Sequence, residues 1–204
     1  MTDRNSFGLT ETSVQTLRDN IQTAAAAGVD WIQIREKDLQ TRELLELVRV
    51  AVVDTRTKET LILVNDRLDI ALAAGAGGVH LGEQSMPLQE VSEWRRATGH
   101  TGFRIGVSCH SMEAAHAAGL DGADYIIFGP VFATPSKAAF GVPQGIEHLR
   151  AVCVTVEIPV LAIGGVTVEN AGSCIAAGAA GVAAIRMFQE ARDLEAVVKG
   201  LREK

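Results

Sequence analysis

Ala73-Ala74-Gly75-Ala76-Gly77-Gly78-Val79 closes a helical stretch, turns on glycine and enters an apolar run. The same order returns in Gly119-Leu120-Asp121-Gly122-Ala123-Asp124-Tyr125 and in Ala177-Gly178-Ala179-Ala180-Gly181-Val182. Glycine is favoured just past a helix end, where the chain must adopt a left-handed turn. A chain that repeats helix, glycine turn and strand is built from βα units. Around these words the apolar runs Trp31–Arg35, Leu61–Asn65, Gly78–Leu81, Arg104–Ser108, Tyr125–Gly129, Pro159–Ile163 and Gly181–Ile185 read as strands. They are near-continuous rather than alternating, as strands buried on both faces of a parallel sheet require. A short helix, Arg67–Ala74, is expected between the second and third.

The pattern predicts an α/β chain forming a single (β/α)8 TIM barrel over residues 1–204. Seven strands are visible, and the eighth should precede the first long helix, where only Met1-Thr2-Asp3-Arg4 is available before a polar loop. The opening strand is therefore expected to be clipped: either the encoded start lies upstream of Met1, or strand one is a stub that leaves neighbouring edges partly unpaired. No linker, repeat array or low-complexity segment suggests a second domain. With 204 residues and 47% hydrophobic content the chain can fill one large core, and 20 Gly with only 4% aromatic residues predict an aliphatic interior of closely packed helices.

A net charge of −6 with dispersed Lys and Arg gives no broad attraction for nucleic acid or an anionic membrane surface, so any anion must be held locally. Cys109, Cys153 and Cys174 lack metal-ligand spacing and are odd in number, which predicts reduced core or loop thiols. No basic segment followed by an apolar one opens the chain, and no apolar run approaches the roughly 20 residues needed to span a bilayer. The expected location is the cytoplasm. Nothing in the pattern selects an oligomeric state.

In a parallel barrel the C-terminal strand ends surround the active site. Gln33-Ile34-Arg35-Glu36-Lys37 and Asn65-Asp66-Arg67 both fall there. Asp66 is a candidate Mg2+ ligand, since Mg2+ takes oxygen donors and often uses one or two carboxylates with substrate phosphates; it is equally a candidate cap for the helix that follows. Asn65 offers a neutral donor and acceptor. Thr134, Ser136 and Lys137, in the loop after Gly129, make either an anion clamp or a solvated turn. Gly164-Gly165 and Ile185-Arg186 end the last two runs, where barrels frequently bind phosphate. Arg186 could contact that phosphate or pair with Glu190 at helical spacing. His80, His110 and His116 are assigned structural duty, because a catalytic base needs a partner that spacing does not supply.

As an ordered set, Gln-x-Arg-x-Lys at Gln33, Asn-Asp-Arg at Asn65, Gly-Val-His-Leu-Gly at Gly78, Gly-Val-Ser-x-His at Gly106, Ala-Asp-Tyr-x-x-x-Gly-Pro-Val-Phe-x-Thr at Ala123 and Ala-Ile-Gly-Gly-Val at Ala162 resemble the thiamine phosphate synthase family and its thiazole tautomerase relatives. The resemblance implies that hydroxymethylpyrimidine diphosphate is joined to a thiazole phosphate with release of pyrophosphate. It implies small phosphorylated pyrimidine and thiazole substrates, with Mg2+ as cofactor. Gln33, Arg35, Lys37, Asn65, Ser108 and Lys137 would hold the pyrimidine diphosphate, Arg35, Lys37, Ser108 and Lys137 acting on the departing group. Thr134 and Ser136, with Gly164, Gly165, Ile185 and Arg186, would hold the thiazole phosphate. Asp66 would bind Mg2+, and the family's second metal-binding Asp aligns with Ser85, with Glu83 as its substitute. Arg186 stands where the family has Ser. Pro130 stands where the tautomerase relatives have His, which removes their proton-transfer group and favours the synthase over a tautomerase-like isomerase; an inert phosphate-binding regulatory module stays open as the other alternative, because the metal pair is incomplete.

Overall fold

Strands form where the apolar runs predict them, within one or two residues at each end. The computed structural model describes residues 1–8, 12–134 and 142–204, so Ser136 and Lys137 lie outside the described residues. In chain order come α1 (Ser13–Ala26), β1 (Trp31–Ile34), α2 (Thr41–Thr55), β2 (Leu61–Asn65), α3 (Leu68–Ala74) and β3 (Gly78–Leu81). Then follow α4 (Leu88–Thr98), β4 (Arg104–Cys109), α5 (Met112–Leu120), β5 (Tyr125–Phe128) and α6 (Gly145–Thr155). The chain ends with β6 (Val160–Ile163), α7 (Val168–Ala176), β7 (Gly181–Ala183), α8 (Arg186–Gln189) and α9 (Leu194–Arg202). The seven strands lie in the order β1 to β7, and each neighbouring pair is parallel.

Apolar side chains cover both faces of the sheet. Outside, Leu17, Ile21, Leu47 and Val48 of α1 and α2 pack over Ile32, Ile62 and Val64, and Leu149, Val152 and Ala171 of α6 and α7 pack over Ile126, Phe128 and Ala162. On the inner face Leu63, Tyr125 and Ile127 cluster with Trp31, Leu161 and Ile163. Each fully buried Leu or Ile contributes roughly 2 kcal/mol, so the inner cluster stabilises the curved sheet alongside its helical coat. All three cysteines are free thiols, two of them buried. No helix among the described residues is long and apolar enough to cross a membrane.

The closed eight-stranded barrel expected from the sequence does not form. β1 and β7 are the two edges of the sheet. Between them the first residues form a bridge at the C-terminal rim: the Thr2 N–H donates to the Gln33 carbonyl at 2.8 Å, and the Met1 amino group donates to the Ala184 carbonyl at 3.4 Å. The backbone then turns into a 3-10 helix, Arg4–Phe7, held down by Glu36. The Thr2 hydroxyl donates to Glu36 Oε1 at 2.5 Å, and the Arg4 N–H donates to Glu36 Oε2 at 3.1 Å. Below this bridge lies a cavity of about 590 Å³ lined by Trp31, Ile32, Leu161, Ile175, Val182 and Leu201. A closed barrel needs every strand paired on both sides; here two residues stand in for a strand, at one rim only.

Candidate active site

At the end of β1 the Gln33 side chain turns inward and is buried. Its Nε2 donates to Asn65 Oδ1, at the end of β2, at 3.4 Å. Its Oε1 is buried without a hydrogen-bond partner, an arrangement costly in a folded interior unless a ligand supplies the donor. Arg35 follows at once, its backbone N–H donating to the Thr2 hydroxyl at 3.0 Å, and Lys37 is exposed beyond it. Among the described residues neither cation has a carboxylate within ion-pair distance. Arg4 and Arg95, by contrast, are paired with Asp38 and Asp124.

Asp66 sits where β2 leaves the sheet. Its N–H donates to the His80 carbonyl at 2.8 Å, and the residue takes a φ of +67°, a left-handed conformation that Asp tolerates better than most residues. Its carboxylate is exposed at the rim. The capping alternative for Asp66 does not hold, because Arg67 occupies the N-cap of α3 without a side-chain cap bond. The guanidinium of Arg67 is engaged by Asp69 at 2.6 Å.

Inside the sheet, below this rim, runs a polar chain that spacing alone did not reveal. His80 Nδ1 lies 3.1 Å from the Tyr125 hydroxyl, and His80 Nε2 lies 2.9 Å from Ser108 Oγ. Burial pushes the imidazole down to about 3, keeping it neutral, and burial also pushes the Tyr125 phenol upward. Tyr125 tilts against Trp31 with ring centroids 4.8 Å apart. Gly106 is required beside it: a Cβ there would come within 2.0 Å of the tyrosine ring. His80, assigned only structural duty from the sequence, therefore touches a predicted substrate-binding residue. The available clue was a polar residue inside a strand, Gly78–Leu81, buried along its whole length.

On the opposite side, the loop after β5 is zipped onto the loop after β6. Val131 N–H donates to the Ile163 carbonyl at 2.8 Å, and Phe132 N–H to the Gly164 carbonyl at 2.9 Å. Gly164 and Gly165 have φ of +95° and +64°, and a Cβ on either would approach Pro130 or the Ala133 carbonyl to 2.5 Å. Both glycines are thus demanded by backbone conformation and by close approach. Thr167 and Asn170 form a capping box at the start of α7, and Asn170 Nδ2 donates to the Gly165 carbonyl at 3.0 Å. Ile185 is half-buried after β7. Arg186 reaches across this cradle, its Nη2 donating to Thr134 Oγ1 at 3.0 Å, rather than pairing with Glu190. The structure brings Thr134, Gly164, Gly165 and Arg186 together, and Gln33, Asn65 and Ser108 line the neighbouring strand ends.

Of the candidate metal ligands, Ser85 Oγ accepts the Gly82 N–H at 2.7 Å, closing its own turn. Glu83 is solvent-exposed, with its carboxylate 4.0 Å from His110 Nε2. His110 is itself turned by its Nδ1 to the Gly129 carbonyl at 2.5 Å. Among the described residues no group of three or more His, Cys, Asp or Glu side chains converges. A single rim carboxylate suits a Mg2+ ion that shares its coordination with substrate phosphates, rather than one held by an all-protein cage.

Residues 7–188 match the family model described as thiamine monophosphate synthase. The chain is 43% identical over 183 residues to the thiamine-phosphate synthase of Moorella thermoacetica, covering 90% of this chain and 85% of that one. It is likewise 43% identical over 190 residues to the thiamine-phosphate synthase of Methanoculleus marisnigri, covering 93% and 88%. The solved structure of a thiamine phosphate pyrophosphorylase from Pyrococcus furiosus matches with a TM-score of 0.81 and 35% identity, over 99% of this chain and 91% of that one. With its parallel TIM-like sheet and its matched rim motifs, the chain belongs to the thiamine monophosphate synthase family.

Proposed function

We propose that this chain joins hydroxymethylpyrimidine diphosphate to a thiazole phosphate, releasing pyrophosphate and giving thiamine phosphate. The observation that carries the proposal is one juxtaposition. A buried amide oxygen on Gln33 lacks a donor, beside cations Arg35 and Lys37 that lack a described counter-charge. An aminopyrimidine supplies an N–H donor and its diphosphate supplies the anion, so one substrate answers both deficits.

In this reaction the thiazole nitrogen forms a bond to the methylene carbon of the pyrimidine, the carbon–oxygen bond to the diphosphate breaks, and pyrophosphate departs with that electron pair. The residues on this rim bind and orient. Gln33 and Asn65 hold the heterocycle, Arg35, Lys37 and Ser108 receive the developing charge, and Arg186, Thr134 and the Gly164–Gly165 loop fix the thiazole phosphate. Ser136 and Lys137, which follow the quoted motif ending at Thr134, belong to the same proposal through the family resemblance. Asp66 would hold Mg2+ together with diphosphate oxygens, and the ion would supply charge neutralisation of the leaving group. No protein nucleophile is called for. Burial pushes the Cys109 thiol up to about 11 and raises those of Cys153 and Cys174, so these groups are not thiolates near neutral pH.

A coupled assay for pyrophosphate tests the proposal. Release is expected only with both substrates and Mg2+ present. Conversion of a thiazole phosphate alone would assign the chain to the isomerase class, and binding of both compounds without release would make it a binding module.

A further inference from the structure

A serine hydroxyl such as that of Ser108 can donate or accept a hydrogen bond. We propose that His80 is a positioning residue that sets this polarity: with its Nδ1 accepting from the Tyr125 hydroxyl, its Nε2–H donates to Ser108 Oγ, and the serine proton is left to donate into the site.

The inference starts from the buried end of the chain. The Tyr125 side chain is fully buried in the inner apolar cluster with Leu63 and Ile127, and its hydroxyl has His80 Nδ1, at 3.1 Å, as its partner among the described residues. If Nδ1 carried the imidazole proton, the phenol could only accept it, and its own proton would be buried without an acceptor. The opposite tautomer satisfies both atoms. A neutral imidazole holds one proton, so Nε2 carries it and faces Ser108 Oγ at 2.9 Å. Having accepted there, the half-buried Ser108 hydroxyl keeps its proton for a group at the rim, and no described residue takes it. A ligand atom that takes this proton is an acceptor, and a phosphoryl oxygen of the diphosphate fits that chemistry. The backbone of the same residue steadies the metal side of the site, since the His80 carbonyl accepts the Asp66 N–H.

The proposal rests on the reading that Ser108 touches the diphosphate, and two measurements separate the two. The first is nitrogen-15 NMR of histidine-labelled, full-length protein, with His80 assigned by comparison with His80→Gln. Protonated Nε2 and unprotonated Nδ1 are expected near neutral pH; the reverse tautomer overturns the polarity proposal and leaves the site reading standing. The second is steady-state kinetics. Ser108→Ala should lower kcat/KM for the pyrimidine diphosphate about tenfold, the effect of one good hydrogen bond to a charged group. Unchanged activity would overturn the site reading and this proposal with it. His80→Gln, whose amide N–H can replace Nε2–H, should stay within about threefold of the parent, whereas His80→Met, similar in size but without a donor, should lose about tenfold. In a Ser108→Ala background His80→Met should lose nothing further. Additive losses, or equal losses in His80→Gln and His80→Met at matched urea midpoints, would show that His80 merely supports the fold.

Discussion

Arg186 Nη2 donates to Thr134 Oγ1 at 3.0 Å, tying the end of β7 to the loop after β5 across the Gly164–Gly165 turn. No carboxylate among the described residues neutralises this guanidinium, so its charge is available to a phosphate held by the turn. Arg186→Met keeps the length of the side chain and removes both the charge and the donors. The KM for the thiazole phosphate should rise about tenfold, because a hydrogen bond to a charged partner is worth about 1.5–3 kcal/mol and this one is partly screened by solvent. The KM for the pyrimidine diphosphate should not move. Initial rates with each substrate varied in turn check this, and an unchanged thiazole KM would take Arg186 out of phosphate binding.

Asp66 offers an unusually clean substitution. Its φ of +67° is a conformation that Asn adopts as readily as Asp, so Asp66→Asn removes the charge without straining the turn. Turnover at low Mg2+ should fall by at least about tenfold, while the urea midpoint stays where it was. Equal activity over a Mg2+ titration would remove Asp66 from the metal role. Asp66→Ala would be a poorer probe, because alanine there adds backbone strain of about 1 kcal/mol.

Ser85 closes its turn by accepting the Gly82 N–H at 2.7 Å, a bond that an aspartate at the same position can also make. Ser85→Asp should therefore preserve the loop while adding a second hard oxygen donor near the rim. The Mg2+ concentration giving half-maximal activity is expected to drop several-fold. A titration that does not shift would mean that this loop points away from the ion.

The strands were legible because burial on both faces writes an unbroken apolar run, and β2 and β3 begin and end where the runs do. β7 is shorter than its run: it ends at Ala183, opposite Ile163, where its partner strand β6 also ends. Barrel closure was not legible, because it depends on whether two distant edges meet and not on the pattern within either. The rim cations and Gly164–Gly165 were legible from their place after strands. The contact between His80 and Tyr125 was not, because it joins positions 45 apart. Nor was the left-handed turn at Asp66, which is imposed by a bond to the neighbouring strand. Glu36 read as one more polar residue of a rim word, yet it is buried and pins the chain's first residues.

His80 also carries a pH signature. Burial lowers its pKa from an ordinary 6.5 to about 3, so below pH 6.5 the unfolded chain binds a proton that the native protein refuses. The native protein is therefore fully stabilised by this group above pH 6.5 and loses that stability as pH falls towards 3, at up to about 1.4 kcal/mol per pH unit. The carboxylates titrate identically in parent and variant and cancel in the difference between them. Urea midpoints at pH 7, 5.5 and 4.5 should converge for parent and His80→Gln as the pH falls. Parallel lines across that range would mean that His80 is protonated in the native state.

Glu36 decides whether the opening residues stay docked in the gap between β1 and β7. Its carboxylate accepts the Thr2 hydroxyl at 2.5 Å and the Arg4 N–H at 3.1 Å, while desolvation raises its pKa against the lowering effect of those partners. Glu36→Ala leaves the Thr2 hydroxyl and the Arg4 N–H without their acceptor, a loss of roughly 2–3 kcal/mol. For a protein of this size that lowers Tm by about 5–10 °C in calorimetry. The effect should reach the site as well, because the Thr2 hydroxyl also accepts the backbone N–H of Arg35 at 3.0 Å. Once Thr2 is released, Arg35 loses that anchor, and the KM for the pyrimidine diphosphate should rise while the KM for the thiazole phosphate, bound across the rim, stays constant. A Tm within about 2 °C of the parent, below what the loss of one hydrogen bond predicts, would show that residues 1–4 contribute nothing to closing the rim.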